Sequence, residues 1–155
     1  TVVAVGKGGK FASSVIFNSI TWSDVIKGTY TFSVANIQKA YAANTETALQ
    51  VCDSDPNTYR FKNLFGAGKH LLLTAVGKGT DENGNYIMFK VPSQATGLTF
   101  GSHGEISVRD VAEWQNDESL LDCKIYENHN AALWVQYFVS AGNLGYGYDE
   151  FTPEN

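Results

Sequence analysis

Gly28-Thr29-Tyr30-Thr31-Phe32-Ser33-Val34 decides the fold class, because its bulky residues fall on every second position. Tyr30, Phe32 and Val34 share one face of an extended chain, while Thr29, Thr31 and Ser33 share the other. That period of two belongs to a half-buried β-strand. Thr58-Tyr59-Arg60-Phe61-Lys62-Asn63-Leu64 repeats it, with Tyr59 and Phe61 opposite Arg60 and Lys62. One apolar and one wet face is the habit of antiparallel sheets, which need cover on one side only.

Reading outward, the same grammar recurs. Leu71 to Val76 and Tyr86 to Val91 are apolar runs separated by Gly77 to Asn85. Asn83-Gly84 within that gap predicts a hairpin turn, since both residues tolerate positive φ. Ala48 to Cys52 leads through Asp53-Ser54-Asp55-Pro56-Asn57 into the Tyr59 strand, a second hairpin. Ile125-Tyr126 and Ala132 to Val139 flank Glu127 to Asn130, a third. Val2 to Val5 and Phe11 to Phe17 read as an N-terminal strand pair. Helical signals are few. Asn36 to Thr47 is the best candidate, with Ile37, Ala40 and Tyr41 on one face, and Ser93 to Gly97 and Val111 to Leu121 have room for a turn or two. The expectation is an all-β chain: a two-sheet β-sandwich or a partly open barrel, built from antiparallel hairpins with little helix. Residues 1–155 read as one domain, with 1–20 either an added pair of edge strands or the tail of a preceding domain.

The 155 residues suffice for one core, and a chain of that size buries roughly 70% of the surface its unfolded form exposes. Aromatics reach 13% and charged residues only 17%, a mixture suited to pleated surfaces. The net charge of −5 opposes binding to a phosphate backbone or an anionic membrane. No apolar run approaches the length of a membrane span. Thr1 to Lys10 has no charged stretch leading into an apolar one, and the chain starts without Met, so it reads as a processed protein or an excised fragment. Cys52 and Cys123 are compatible with one disulfide and equally with two buried thiols.

Patterns that would carry chemistry fail at specific positions. Ahead of Gly68-Lys69 and Gly77-Lys78, the first Gly of a phosphate loop is replaced by Asn63 and Leu72. Asp53, Asp55 and Asn57 mimic the start of a calcium loop, but Thr58 stands where its turn Gly belongs and Leu64 where its bidentate Glu belongs. His70, His103 and His129 lack a second His or Cys at zinc-ligand spacing. His103 beside Ser102 and near Asp110 has no nucleophile elbow to support it. The carboxylates Asp110, Glu113, Asp117, Glu118, Asp122, Glu127, Asp149 and Glu150 lie mostly in polar, turn-like stretches; a glycosidase would need two of them across a cleft. No catalytic residue, metal site or cofactor is assigned.

Aromatic side chains are the more informative signal. In Ala132 to Val139, Leu133, Val135, Tyr137 and Val139 share one face and Trp134, Gln136 and Phe138 the other. Both faces carry rings, so the strand is central or one face is a platform. Trp114 sits in the polar context Ala112-Glu113-Trp114-Gln115-Asn116-Asp117, and Tyr146 and Tyr148 in Gly145-Tyr146-Gly147-Tyr148-Asp149. Trp114, Gln115, Tyr146, Tyr148 and Asp149 are the candidate ligand contacts. Rings stack on the apolar face of a sugar while amides and carboxylates bond its hydroxyls, and the same surface suits a protein partner.

Three stretches carry a likeness to a known group: Trp22 with Gly28-Thr29-Tyr30-Thr31; Asp55-Pro56-Asn57-Thr58-Tyr59-Arg60-Phe61; and Tyr137-Phe138-Val139-Ser140-Ala141-Gly142 with Gly145-Tyr146-Gly147-Tyr148-Asp149-Glu150-Phe151-Thr152. Across residues 22–152 the chain resembles uncharacterised β-rich modules of secreted and surface lipoproteins of gut Bacteroidetes. That resemblance implies an exported protein, an outer-membrane lipoprotein or a periplasmic one, often joined to other β domains. It brings no catalytic residues, and no Cys stands near Thr1 to carry a lipid. The expected function is a non-catalytic secreted or cell-surface module that binds glycan or protein through exposed rings. The alternatives are a structural or adhesive module of a larger envelope protein, and a glycoside hydrolase-like enzyme with paired carboxylates.

Overall fold

A computed structural model describes residues 20–155, so the strand pair expected within residues 1–19 lies outside the described residues. Ten strands follow: β1 (Trp22–Thr31), β2 (Asn44–Cys52), β3 (Asp55–Phe61), β4 (Leu71–Asp81), β5 (Gly84–Lys90), β6 (Gln94–Thr99), β7 (Glu105–Asp110), β8 (Cys123–Tyr126), β9 (Ala131–Val139) and β10 (Gly142–Pro153). Two short helices interrupt them, α1 (Ala35–Ala40) and α2 (Val111–Gln115). No helix among the described residues is long and apolar enough to cross a membrane.

The all-β class holds, but the layers are not two stacked sheets. Strands β10-β1-β2-β3-β4-β5-β8-β9 pair antiparallel in that order, and β9 pairs back to β10, closing an eight-stranded barrel. The seam between β1 and β10 is tight. Gly28 faces Pro153 across it, and a Cβ on Gly28 would run into the Thr152 carbonyl and the Phe151 ring. Closure removes the edges that an open sheet would expose.

The wall forks at β9. Its first residues, Ala131 to Leu133, pair with β8, and Val135 to Phe138 pair with β7, which carries β6 on its far side. Two links seal the fork. Asp110 N–H donates to the Val91 carbonyl and the Asp110 carboxylate accepts from Val91 N–H, joining the ends of β7 and β5. The Gln94 carboxamide then imitates a strand: its Oε1 accepts from Leu72 N–H at 2.9 Å, and its Nε2 donates to the Leu72 carbonyl at 3.0 Å. The hairpin β6–β7 is thereby fastened to β4 where β4 pairs with β3 but has no strand on its β5 side.

Inward positions follow the period of two. Tyr30, Phe61, Leu71, Leu73, Phe89, Leu133, Val135, Tyr137 and Phe151 are all buried. Phe61 sits at the centre, its ring 5.1 Å from Tyr30 and 5.0 Å from Phe151 between centroids. Burying such a ring stabilises by about 1.5–3 kcal/mol, so this cluster holds much of the barrel's apolar energy. The two ends differ. One receives α1 and the β3–β4 loop, whose Ile37, Leu64 and Phe65 are buried as a plug. At the other the β2–β3, β4–β5 and β8–β9 connections are tight turns, which bring no such plug.

Local expectations fare unevenly. The three hairpins form as β2–β3, β4–β5 and β8–β9. The β4–β5 turn is Glu82-Asn83, because Asp81 pairs with Gly84, so the strands run further into the Gly-rich gap than expected. Ser93 to Gly97 is not helical: Gln94–Thr99 is β6, whose pairing with β7 overrides the local signal. The helix expected over 36–47 stops at Ala40, and Asn44 begins β2, since Thr45 and Thr47 have pairing partners in β1. Cys52 and Cys123 are both free and buried, on strands β2 and β8, which β3, β4 and β5 separate around the wall.

Candidate functional site

Strands β9 and β10 run opposite each other from Ala131 to Val139, with Tyr148 facing Trp134, Tyr146 facing Gln136 and Asn143 facing Phe138. Leu133, Val135 and Tyr137 point inward, so Trp134, Gln136 and Phe138 point outward by alternation. The outer face of this strand pair is an aromatic strip. Trp134 and Tyr148 stack with ring planes 8° apart and centroids 5.6 Å apart. Trp114 meets Tyr146 at 5.3 Å and 49°. Tyr146 is 56% exposed and Tyr148 42%, while Trp114, Trp134 and Phe138 are half-buried.

Trp114 reaches this strip through α2. The Asp110 carboxylate accepts from Glu113 N–H at 2.7 Å as the N-cap, and Asn116 ends the helix in the left-handed conformation at φ 52°. Caps at both ends hold a helix of five residues in place and lay Trp114 against Tyr146.

Polar groups line the strip. The Arg109 guanidinium carbon lies 4.1 Å from the Phe138 centroid, and its Nε donates to Gln136 Oε1 at 2.8 Å. Gln136 Nε2 donates to Asn143 Oδ1 at 2.9 Å, and Asn143 Oδ1 also accepts from Gly145 N–H. Arg109, Trp114, Gln136, Phe138 and Asn143 line a shallow depression of about 320 Å³. At the other end Tyr148 Oη donates to Asp122 Oδ2 at 2.5 Å. Burial among the rings, with the bond to Asp122 second, pushes the Tyr148 hydroxyl up to about 12. It therefore stays protonated at neutral pH and keeps its donor role.

Comparison with known proteins finds no matching family model, no matching curated protein and no matching solved structure.

Of the expected contacts, the structure brings Trp114, Tyr146 and Tyr148 onto one face, although Trp114, singled out for exposure, is half-buried under Tyr146. Gln115 is exposed beside Trp114. Asp149 does not belong there. It is fully buried inside the barrel, where its carboxylate accepts from Tyr137 Oη at 2.6 Å, Tyr30 Oη at 2.9 Å, and the N–H and hydroxyl of Ser33, both at 2.9 Å. Alternation decides this: Tyr146 and Tyr148 face outward, so Asp149 between Tyr148 and Glu150 faces inward. Burial raises its proton affinity above the usual carboxylate range, against the pull of those four bonds.

Arg109, Gln136, Phe138 and Asn143 went unmarked in the sequence. Only the outward set Trp134, Gln136 and Phe138 pointed to them, and the neighbouring strands were needed to show what lies beside it. The acids behave variously. Asp55 accepts from Asn57 N–H and Thr58 Oγ1, and Asp81 from Asn83 N–H, both as turn formers. Asp110 is fully buried and serves the fork and the α2 cap. Among the described residues, no three His, Cys, Asp or Glu side chains cluster to hold a metal ion.

Proposed function

We propose that this chain is a non-catalytic binding module that takes glycan on the outer face of β9–β10. The observation that carries the reading is the side-by-side placement of two ring pairs, Trp134–Tyr148 and Trp114–Tyr146, with both tyrosines open to solvent. Flat rings offer a surface to the apolar face of a pyranose. Arg109 and Asn143 reach the surface and are already ordered through their bonds to the buried Gln136, so presenting them to sugar hydroxyls costs little side-chain entropy. The resemblance to exported Bacteroidetes modules supports a setting at the cell surface or in the periplasm, beside other β domains. A protein partner at the same rings is the second form of this reading.

A glycan array followed by titration of the positive sugars, read by Trp fluorescence, tests the proposal. Binding that quenches or shifts emission in the native chain, and weakens in Tyr146→Ala and Tyr148→Ala, supports it. Silence across the array and the titration removes the carbohydrate reading.

A further inference from the structure

The barrel has a second feature that the outer strip does not use. At the end where β2–β3, β4–β5 and β8–β9 turn tightly, a cavity of about 600 Å³ opens into the lumen. Its inner wall is apolar: Leu49, Tyr59, Ile87, Phe89 and Ile125 come from four strands around the ring. Within that wall Tyr59 packs edge-on against Phe89 at 5.1 Å. Its rim is polar, with Lys78, Thr80 and Asn85 from the β4–β5 hairpin and Glu127 and His129 from the β8–β9 turn.

Three properties make this a built site rather than a packing defect. An eight-stranded barrel is just wide enough either to fill with side chains or to hold one small ligand. Here the far end is filled by Ile37, Leu64 and Phe65, and among the described residues nothing fills the near end. The volume falls within the range of about 300–1,000 Å³ typical of small-molecule sites, which favour barrel mouths. The entrance is also kept open by backbone design. Val25 stands at a bulge where the register of β1 slips between Asp24 and Ile26, leaving it 37% exposed at the cavity's lip.

We infer that the barrel mouth binds a small amphipathic molecule with an apolar body and a carboxylate end. The apolar body matches Leu49, Tyr59, Phe89 and Ile125. The carboxylate matches Lys78, an exposed cation with no ion pair among the described residues. Thr80 and Asn85 are hydrogen-bonded to each other at the same rim and offer further polar contacts. This inference is independent of the glycan proposal, since none of the strip's rings lines the cavity.

Isothermal titration of the full chain with decanoate and with decanol tests it. Both ligands bind if the inference holds. Lys78→Glu then weakens decanoate by roughly three- to tenfold and leaves decanol unchanged, as expected for a partly exposed ion pair. Thr80→Trp, at an exposed rim position, blocks both ligands, while Tyr146→Ala and Tyr148→Ala change neither. No heat with either ligand at millimolar concentration overturns the inference, as does binding that survives Thr80→Trp. Equal loss of decanoate and decanol in Lys78→Glu overturns the carboxylate end. Circular dichroism of each variant verifies that the barrel is intact.

Discussion

Tyr137 Oη donates to Asp149 Oδ2 across 2.6 Å inside the barrel, although neither residue has any surface exposed. Tyr137 lies on β9 and Asp149 on β10, the strands whose pairing closes the ring. Tyr30 Oη, from β1, reaches the same oxygen, and Ser33 supplies two more donors. One carboxylate therefore draws together three consecutive strands around the closure. A buried charge without such donors would be prohibitive.

Tyr137→Phe removes one of these four bonds with little change in shape. Hydrogen bonds to charged groups are worth about 1.5–3 kcal/mol, so urea unfolding is expected to show a loss of that order. A loss below about 0.5 kcal/mol, the size of an ordinary surface change, would count against a structural role for the network.

The same carboxylate imposes a pH dependence. Burial raises its proton affinity in the fold above that of the unfolded chain. The stability it contributes is present below its unfolded value of about 3.9 and is lost as pH rises through the folded value. Turn carboxylates such as Asp55 and Asp81, held low by hydrogen bonds, act with the opposite sign and lose stability as pH falls. The difference between native chain and Asp149→Asn isolates the buried group. As pH rises above about 4 the native chain is expected to lose stability relative to the variant. A flat difference would show that Asp149 does not titrate there.

Gln94 predicts a local effect. Its side chain bonds both polar groups of the Leu72 backbone, so Gln94→Ala leaves those two groups without their partner. Hydrogen exchange at the Leu72 amide is expected to speed up about five- to thirtyfold, the equivalent of 1–2 kcal/mol of local opening. Unchanged exchange at Leu72 would mean that the β6–β7 hairpin is held by other contacts.

On the outer face, Tyr146→Ala and Tyr148→Ala are each expected to weaken glycan binding by about 1–2 kcal/mol, roughly five- to thirtyfold. Global stability is expected to change less in Tyr146→Ala, whose ring is 56% exposed, than in Tyr148→Ala, which also loses the stack on Trp134 and the bond to Asp122. Tyr148→Phe separates stacking from hydrogen bonding: it keeps the ring over Trp134 and loses only the bond to Asp122. Affinity retained in that variant points to the ring.

Cys52 and Cys123 are free in the fold, so a reducing agent is expected to leave the thermal midpoint unchanged. Burial raises the Cys123 thiol well above its usual range, which keeps it unreactive. Ellman's reagent should therefore label it only on unfolding, and fast labelling of the native chain would contradict its burial.

Period-two patterning sufficed to make the chain all-β, because side chains on a strand alternate faces whatever the strand's neighbours are. The inward set Leu133, Val135 and Tyr137 and the outward set Trp134, Gln136 and Phe138 were legible on that ground alone, as were the three hairpins. Ring closure was not legible. It depends on Gly28 letting β1 approach β10 and on β9 serving β8 and β7 with different halves, and both are long-range pairings that leave no local mark. The candidate rings Trp114, Tyr146 and Tyr148 stood out for their polar neighbours, but only the register of β9 against β10 put them on one face. Asp149 shows the limit most clearly. Its polar, Gly-rich surroundings suggest a surface turn, yet the pleat that turns Tyr148 outward turns Asp149 inward, and only Tyr30, Ser33 and Tyr137, distant in sequence, make its burial tolerable.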